Sequence, residues 1–193
     1  MTQQNIRKNV AKSLLLLYFG QMLLLLASLF IRFFASDGMV PLLIAVFTLT
    51  NLLMQLYATR RLSRLVDSQE YHMAFYSVSC NAVCWGLTLL GVGLYNFVQI
   101  LSVVCEISGV LCLCRGTRRL LRGFGYENTS PSLIGPAYLL CAVFTYLPYL
   151  GTAAGQSTQA VVQMAGLLVC LAFALYLRQA ARFLFLKNAD DQN

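Results

Sequence analysis

The sequence predicts an all-α polytopic membrane protein: six transmembrane helices as three hairpins, with both termini in the cytoplasm. Three observations predict it. Only 11% of the 193 residues are charged and 59% are hydrophobic, whereas a soluble domain carries roughly 25% charged residues. The apolar residues come in long blocks, not at the spacing of half-buried helices or strands. The basic residues, finally, fall almost entirely in alternate gaps between those blocks.

A membrane-spanning helix needs ~20 predominantly apolar residues. The first block that qualifies is Lys12 to Phe34, "KSLLLLYFGQMLLLLASLFIRFF". A cleaved signal has an apolar region of only about 7–15 residues, so this block is read as a retained helix. The second span runs from Met39 to Ala58 and ends on Thr59-Arg60-Arg61-Leu62. The third is Met73 to Leu94 and the fourth Phe97 to Cys114, with Glu106 the only acidic or basic residue between Met73 and Cys114. One straight helix over that stretch would be ~63 Å long, about twice the hydrocarbon thickness. It must turn, and Gly91, Gly93 and Asn96 mark the place. The fifth span is Ser132 to Thr152, framed by Pro136 and Pro148, and the sixth is Ser157 to Leu177. After Leu177, "LRQAARFLFLK" keeps a helical period and predicts an amphipathic extension along the inner surface. None of the blocks alternates as barrel strands do. The chain is therefore one domain over residues 1–193, with hairpins at about 10–66, 70–124 and 131–187 and short cytoplasmic tails at 1–9 and 188–193.

Charge fixes the orientation. Of the 14 Lys and Arg residues, all but Arg32 lie before or at the first residue of span one, after spans two and four, or after span six. Cytoplasmic loops hold the excess of Lys and Arg, so these ends face the cytoplasm. Arg60, Arg61, Arg64, Arg115, Arg118, Arg119, Arg122, Arg178 and Arg182 form three basic feet. Such feet attract anionic headgroups and favour the negative end of a helix dipole. Thr59-Arg60-Arg61-Leu62 recurs 58 residues later as Thr117-Arg118-Arg119-Leu120. Arg178 to Arg182 is a weaker third copy, which suggests a hairpin repeat. Asn128-Thr129-Ser130 matches a glycosylation pattern, but a cytoplasmic loop would not be modified.

Inside the bilayer the polar residues are few. Glu106 lies eight residues before Cys114, roughly 12 Å from the inner end of its helix. Gln21, Asn51 and Asn81, from three other spans, reach similar depth. These four residues predict one intramembrane polar layer, either a packing device or a site for a proton, cation or small polar solute.

Several functions are excluded by composition. His72 is the single histidine, and no Ser/His/Asp catalytic set, acid pair, metal-ligand cluster or phosphate loop is recognisable, so no enzyme is expected. The seven cysteines all lie in apolar blocks, where Cys behaves as a small hydrophobe. Neither a metal nor a cofactor is expected. Nothing resembles a nucleic-acid module, so the net charge of +7 is assigned to the membrane boundary. The expected function is a non-enzymatic component of a cell membrane, of bacterial type. It would pack with itself or with a membrane-protein partner and present a basic face to anionic headgroups. The alternative is a transporter or channel built on the Glu106 layer.

Overall fold

The computed structural model describes residues 3–34, 40–90, 95–126, 130–146 and 156–190. Among these residues it contains six α-helices and no strand: α1 (Gln3–Phe34), α2 (Val40–Leu65), α3 (Gln69–Leu89), α4 (Tyr95–Gly123), α5 (Ser130–Tyr146) and α6 (Gln156–Asp190). The expected turn at Gly91 and Gly93 lies outside the described residues, as do Pro148, Asn128 and Thr129.

Among the described residues, three helices contain stretches long and apolar enough to cross a membrane: Gln4–Leu29, Phe97–Gly123 and Met164–Lys187. Phe19, Leu49, Val83, Ile100, Leu140 and Leu168 all point away from the core with at least half of the side chain free. A soluble monomer seldom exposes contiguous apolar patches above a few hundred Å². An oily surrounding accounts for this exterior.

The helices run beyond the apolar blocks that predicted them. α1 begins at Gln3, ahead of Lys12, so residues 3–9 are its first turns and not a free tail. α2 continues to Leu65 and α4 to Gly123. Arg, Leu, Lys and Gln are good helix formers, so the end of the greasy run is not the end of the helix. The arginines are the final turns themselves.

Two junctions at the basic end are tightly specified. Ser68 caps α3 in an extended conformation (φ −136°, ψ 135°), its side chain accepting from the Tyr71 N–H, as N-caps do. Just past the end of α4, Gly125 adopts φ +80°. The Tyr126 N–H donates to the Leu121 carbonyl at 3.0 Å and the Gly125 N–H to the Arg122 carbonyl at 2.9 Å. This is a Schellman closure, which needs a left-handed residue at that position. Gly125→Ala is therefore expected to destabilise the protein by about 1–2 kcal/mol, with Gly125→Asn milder. Thermal unfolding of both variants in mild detergent checks this.

Each helix packs on two neighbours. α1 and α2, α3 and α4, and α5 and α6 pair as hairpins; α2–α3, α4–α5 and α1–α6 contacts close them into a ring. The α4–α5 turn is held against α1 and α6: the Arg7 guanidinium lies 4.6 Å from the Phe124 ring centre, and Tyr126 and Phe183 stack with centroids 4.5 Å apart. Lys187 also donates to the Phe124 carbonyl. The largest enclosed side chains, Leu14, Leu17, Leu62, Tyr71, Leu121, Phe173, Leu177 and Leu184, come from α1, α2, α3, α4 and α6.

Burial in α4 follows that in α2 at the same 58-residue spacing. Asn51, Leu52, Ala58, Thr59 and Ser63 of α2 are buried, and so are Gly109, Val110, Gly116, Thr117 and Leu121, each 58 positions on in α4. The contacts shift with them. A Cβ on Gly20 would lie 2.6 Å from the Asn51 Oδ1, while one on Gly109 would lie 3.7 Å from Val78 Cγ2. Gly20 faces Asn51 as Val78 faces Gly109, with small and large partners exchanged. α6 follows α4 at a shift of 60: Leu113, Cys114, Thr117 and Leu121 match Phe173, Ala174, Leu177 and Ala181, all buried. Arg118 and Arg122 then match Arg178 and Arg182.

Candidate functional site

Two places in the fold gather polar chemistry. The first is at the basic end. Arg115, Arg118, Arg119 and Arg122 fall three and four residues apart, on one face of α4. The first turns of α3 lie opposite. Between them is a groove of about 540 Å³, lined by Gln69, Glu70, Met73, Cys112 and the four arginines.

The α3–α4 contact behind this groove is close and specific. Gly116 lets the helices approach: an added Cβ would lie 3.2 Å from the Glu70 Cβ and 3.4 Å from the Tyr71 ring. The Tyr71 hydroxyl and the Thr117 Oγ1 share a hydrogen bond at 3.2 Å, with both residues fully buried. Burial holds the Tyr71 hydroxyl above its ordinary pKa, so it stays protonated. At the rim, Arg119 pairs with Glu70. Arg119 is largely exposed, so this pair adds at most about 1 kcal/mol to stability. Its larger effect is on charge, because it offsets one of the four arginines. Arg118 is half-buried, and its Nε is enclosed with no hydrogen-bond partner.

The other basic feet are engaged differently. Arg61 donates to the Asn9 Oδ1 at 2.7 Å, tying α2 to α1. Arg60 and Arg64 are exposed. The Arg178 guanidinium lies 6.0 Å from the Tyr18 ring centre, and Arg182 is exposed. His72 lies 4.0 Å from Asp67.

The second place is the polar layer. Gln21, Asn51 and Asn81 are buried, as is rare for such residues. Gln21, Gln55, Asn81 and Glu106, from α1, α2, α3 and α4, line one small central cavity of about 20 Å³ together with Leu17, Leu113 and Phe173. That is room for about one water molecule. Asn81 accepts from the Ser102 hydroxyl at 2.6 Å, and Asn51 accepts from the Gln55 amide at 3.3 Å. Asn51 therefore reaches the layer through Gln55 instead of lining the cavity.

Glu106 is less enclosed than Gln21, Asn51 and Asn81. It borders the cavity, yet its side chain is exposed, and one carboxyl oxygen accepts from the Tyr138 hydroxyl of α5. The sequence reading missed Gln55, Ser102 and Tyr138. Tyr138 lies six residues into the predicted fifth span, close to the depth of Glu106 in the fourth, and depth matching was the signal that would have found it.

Among the described residues, no group of three or more His, Cys, Asp or Glu side chains is placed to hold a metal ion. All seven cysteines are free thiols. Comparison with protein-family models, with curated proteins and with solved structures found no match.

Proposed function

We propose that the protein is a non-enzymatic, six-span component of a cell membrane, with both termini cytoplasmic, whose working surface is its basic end. In this reading α2, α3 and α5 cross the bilayer beside α1, α4 and α6. The apolar exterior packs against lipid, a second copy or a membrane-protein partner. The basic end engages anionic headgroups.

The observation that carries this reading is a contrast between two spaces. The arginine-lined groove measures about 540 Å³ and the cavity in the ring about 20 Å³. Of these two polar spaces, the groove is the one with room for a bound group larger than a water molecule. Thermal unfolding in nanodiscs tests the reading. Adding anionic phospholipid to zwitterionic discs is expected to raise the midpoint, since a ligand at 100 times its Kd stabilises by ~2.7 kcal/mol. An unchanged midpoint would defeat the reading.

A second reading, a proton, cation or small-solute transporter or channel, is favoured by one observation: Gln21, Asn81 and Glu106 converge on a single cavity. Glu106→Gln separates the two. Glutamine still offers an oxygen to Tyr138, so folding should change by less than about 1 kcal/mol. Under the leading reading, proteoliposomes of the parent protein and of this variant show the same background flux. A pH-dependent flux that Glu106→Gln abolishes would establish the transporter.

A further inference from the structure

We propose that the groove between α3 and α4 is a binding site for the phosphate of one anionic phospholipid. The proposal rests on the reading of the basic end as the working surface, and names the group that the end takes.

Four arginines line the groove and Glu70 offsets one of them, which leaves three guanidinium charges facing one space. The guanidinium fork matches phosphate oxygens two at a time and stays charged at any physiological pH. Arg118 and Arg122, four residues apart on one face of α4, both line this space. The opposite wall is the N-terminal turn of α3, whose dipole also favours an anion.

Polarity along the groove then selects a lipid over a free phosphate. α4 runs toward the basic end, so Cys112 lies on the membrane side of Arg115, Arg118 and Arg122. α3 runs the other way, so Met73 lies on the membrane side of Gln69 and Glu70. The groove therefore passes from arginines at its mouth to Met73 and Cys112 at its inner end. A headgroup phosphate among the arginines would leave its glycerol and first methylenes beside those two apolar side chains. Inorganic phosphate would use only the outer half. The walls are preset, because the Tyr71–Thr117 bond and the close approach at Gly116 fix α3 on α4 behind the groove.

Native mass spectrometry of the full chain, purified in mild detergent and exposed to phosphatidylglycerol, tests the proposal. The parent protein should retain one phosphatidylglycerol per chain. Arg118→Gln and Arg122→Gln should each weaken retention about tenfold. The exposed pair Arg60→Gln/Arg64→Gln, on another foot, should change it less than about twofold. Glu70→Gln removes the offsetting charge and should strengthen retention several-fold, which provides a gain-of-binding readout if an arginine variant fails to fold. Equal loss from the α2-foot and α4-foot variants would overturn the groove while leaving a lipid-binding basic end in place. No retained anionic lipid in any form would remove the reading beneath it as well. If inorganic phosphate protects the groove arginines from a dicarbonyl reagent and phosphatidylglycerol does not, the site belongs to a soluble phosphate and the lipid assignment fails.

Discussion

Tyr71→Ala is expected to lower the unfolding free energy by about 3–5 kcal/mol, the range for emptying a buried aromatic site. Tyr71 is wholly buried, and its ring lies against Gly116, where even an added Cβ would come within 3.4 Å of it. Truncation would open a void where the first turn of α3 meets α4. It would also strand the buried Thr117 hydroxyl, which shares its bond with Tyr71 at 3.2 Å. Tyr71→Phe keeps the ring and loses only that bond, so it should destabilise by about 0.5–1.5 kcal/mol. The difference between the two variants separates packing from hydrogen bonding. Titration with a denaturing detergent, followed by far-ultraviolet circular dichroism, gives both values. A loss below about 1 kcal/mol for Tyr71→Ala would mean that α3 does not close on α4 as described.

The two contacts beside Tyr71 also show which parts of the fold are legible from sequence. Each of the six hydropathy blocks overlaps one of the described helices. They located the helix ends poorly. α2 and α4 run on through Arg64 and Arg122, because helix propensity does not fall where hydropathy does. The repeat was visible as Thr-Arg-Arg-Leu, but its meaning was not. Thr59 and Thr117 are fully buried, while Arg60 and Arg119 are exposed. The motif marks a packing register as well as a charge pattern. The closure of α1 on α6 had no sequence signal, since contacts between chain ends depend on hairpin geometry and not on local pattern.

The candidate sites follow the same division. The polar layer was partly legible, because depth in a span follows from residue counting at 1.5 Å per residue. Gln21, Asn81 and Glu106 meet as their depths suggested. Rotation about each helix axis was not legible in an all-apolar context, and it decides that Glu106 turns toward Tyr138. The arginine groove was legible on one side only. The spacing of Arg115, Arg118 and Arg122 places them on one helix face, whereas the opposing wall of Gln69, Glu70 and Met73 depends on how α3 docks.

Rotation also governs the remaining large effect, at the centre of the ring. Phe173 of α6 is buried and borders the small cavity together with Gln21, Gln55, Asn81 and Glu106. Phe173→Ala would enlarge that cavity severalfold. The loss expected from the missing ring alone is about 3–5 kcal/mol. Amide groups already line the space, so water can enter the void and satisfy them, which places the expected loss near the lower end, about 3 kcal/mol. Phe173→Leu keeps most of the volume and should lose less than about 1.5 kcal/mol. Detergent unfolding measures the loss, and a second readout shows what the residue does in the bilayer. If the centre of the ring is structural, proteoliposomes carrying Phe173→Ala stay as tight to protons as those with the parent protein, because a hydrated pocket is not a path. If the Glu106 layer is part of a route, removal of the ring beside it opens that route and the variant leaks. The leak would then be suppressed by adding Glu106→Gln, while the stability loss, which comes from missing packing, would remain.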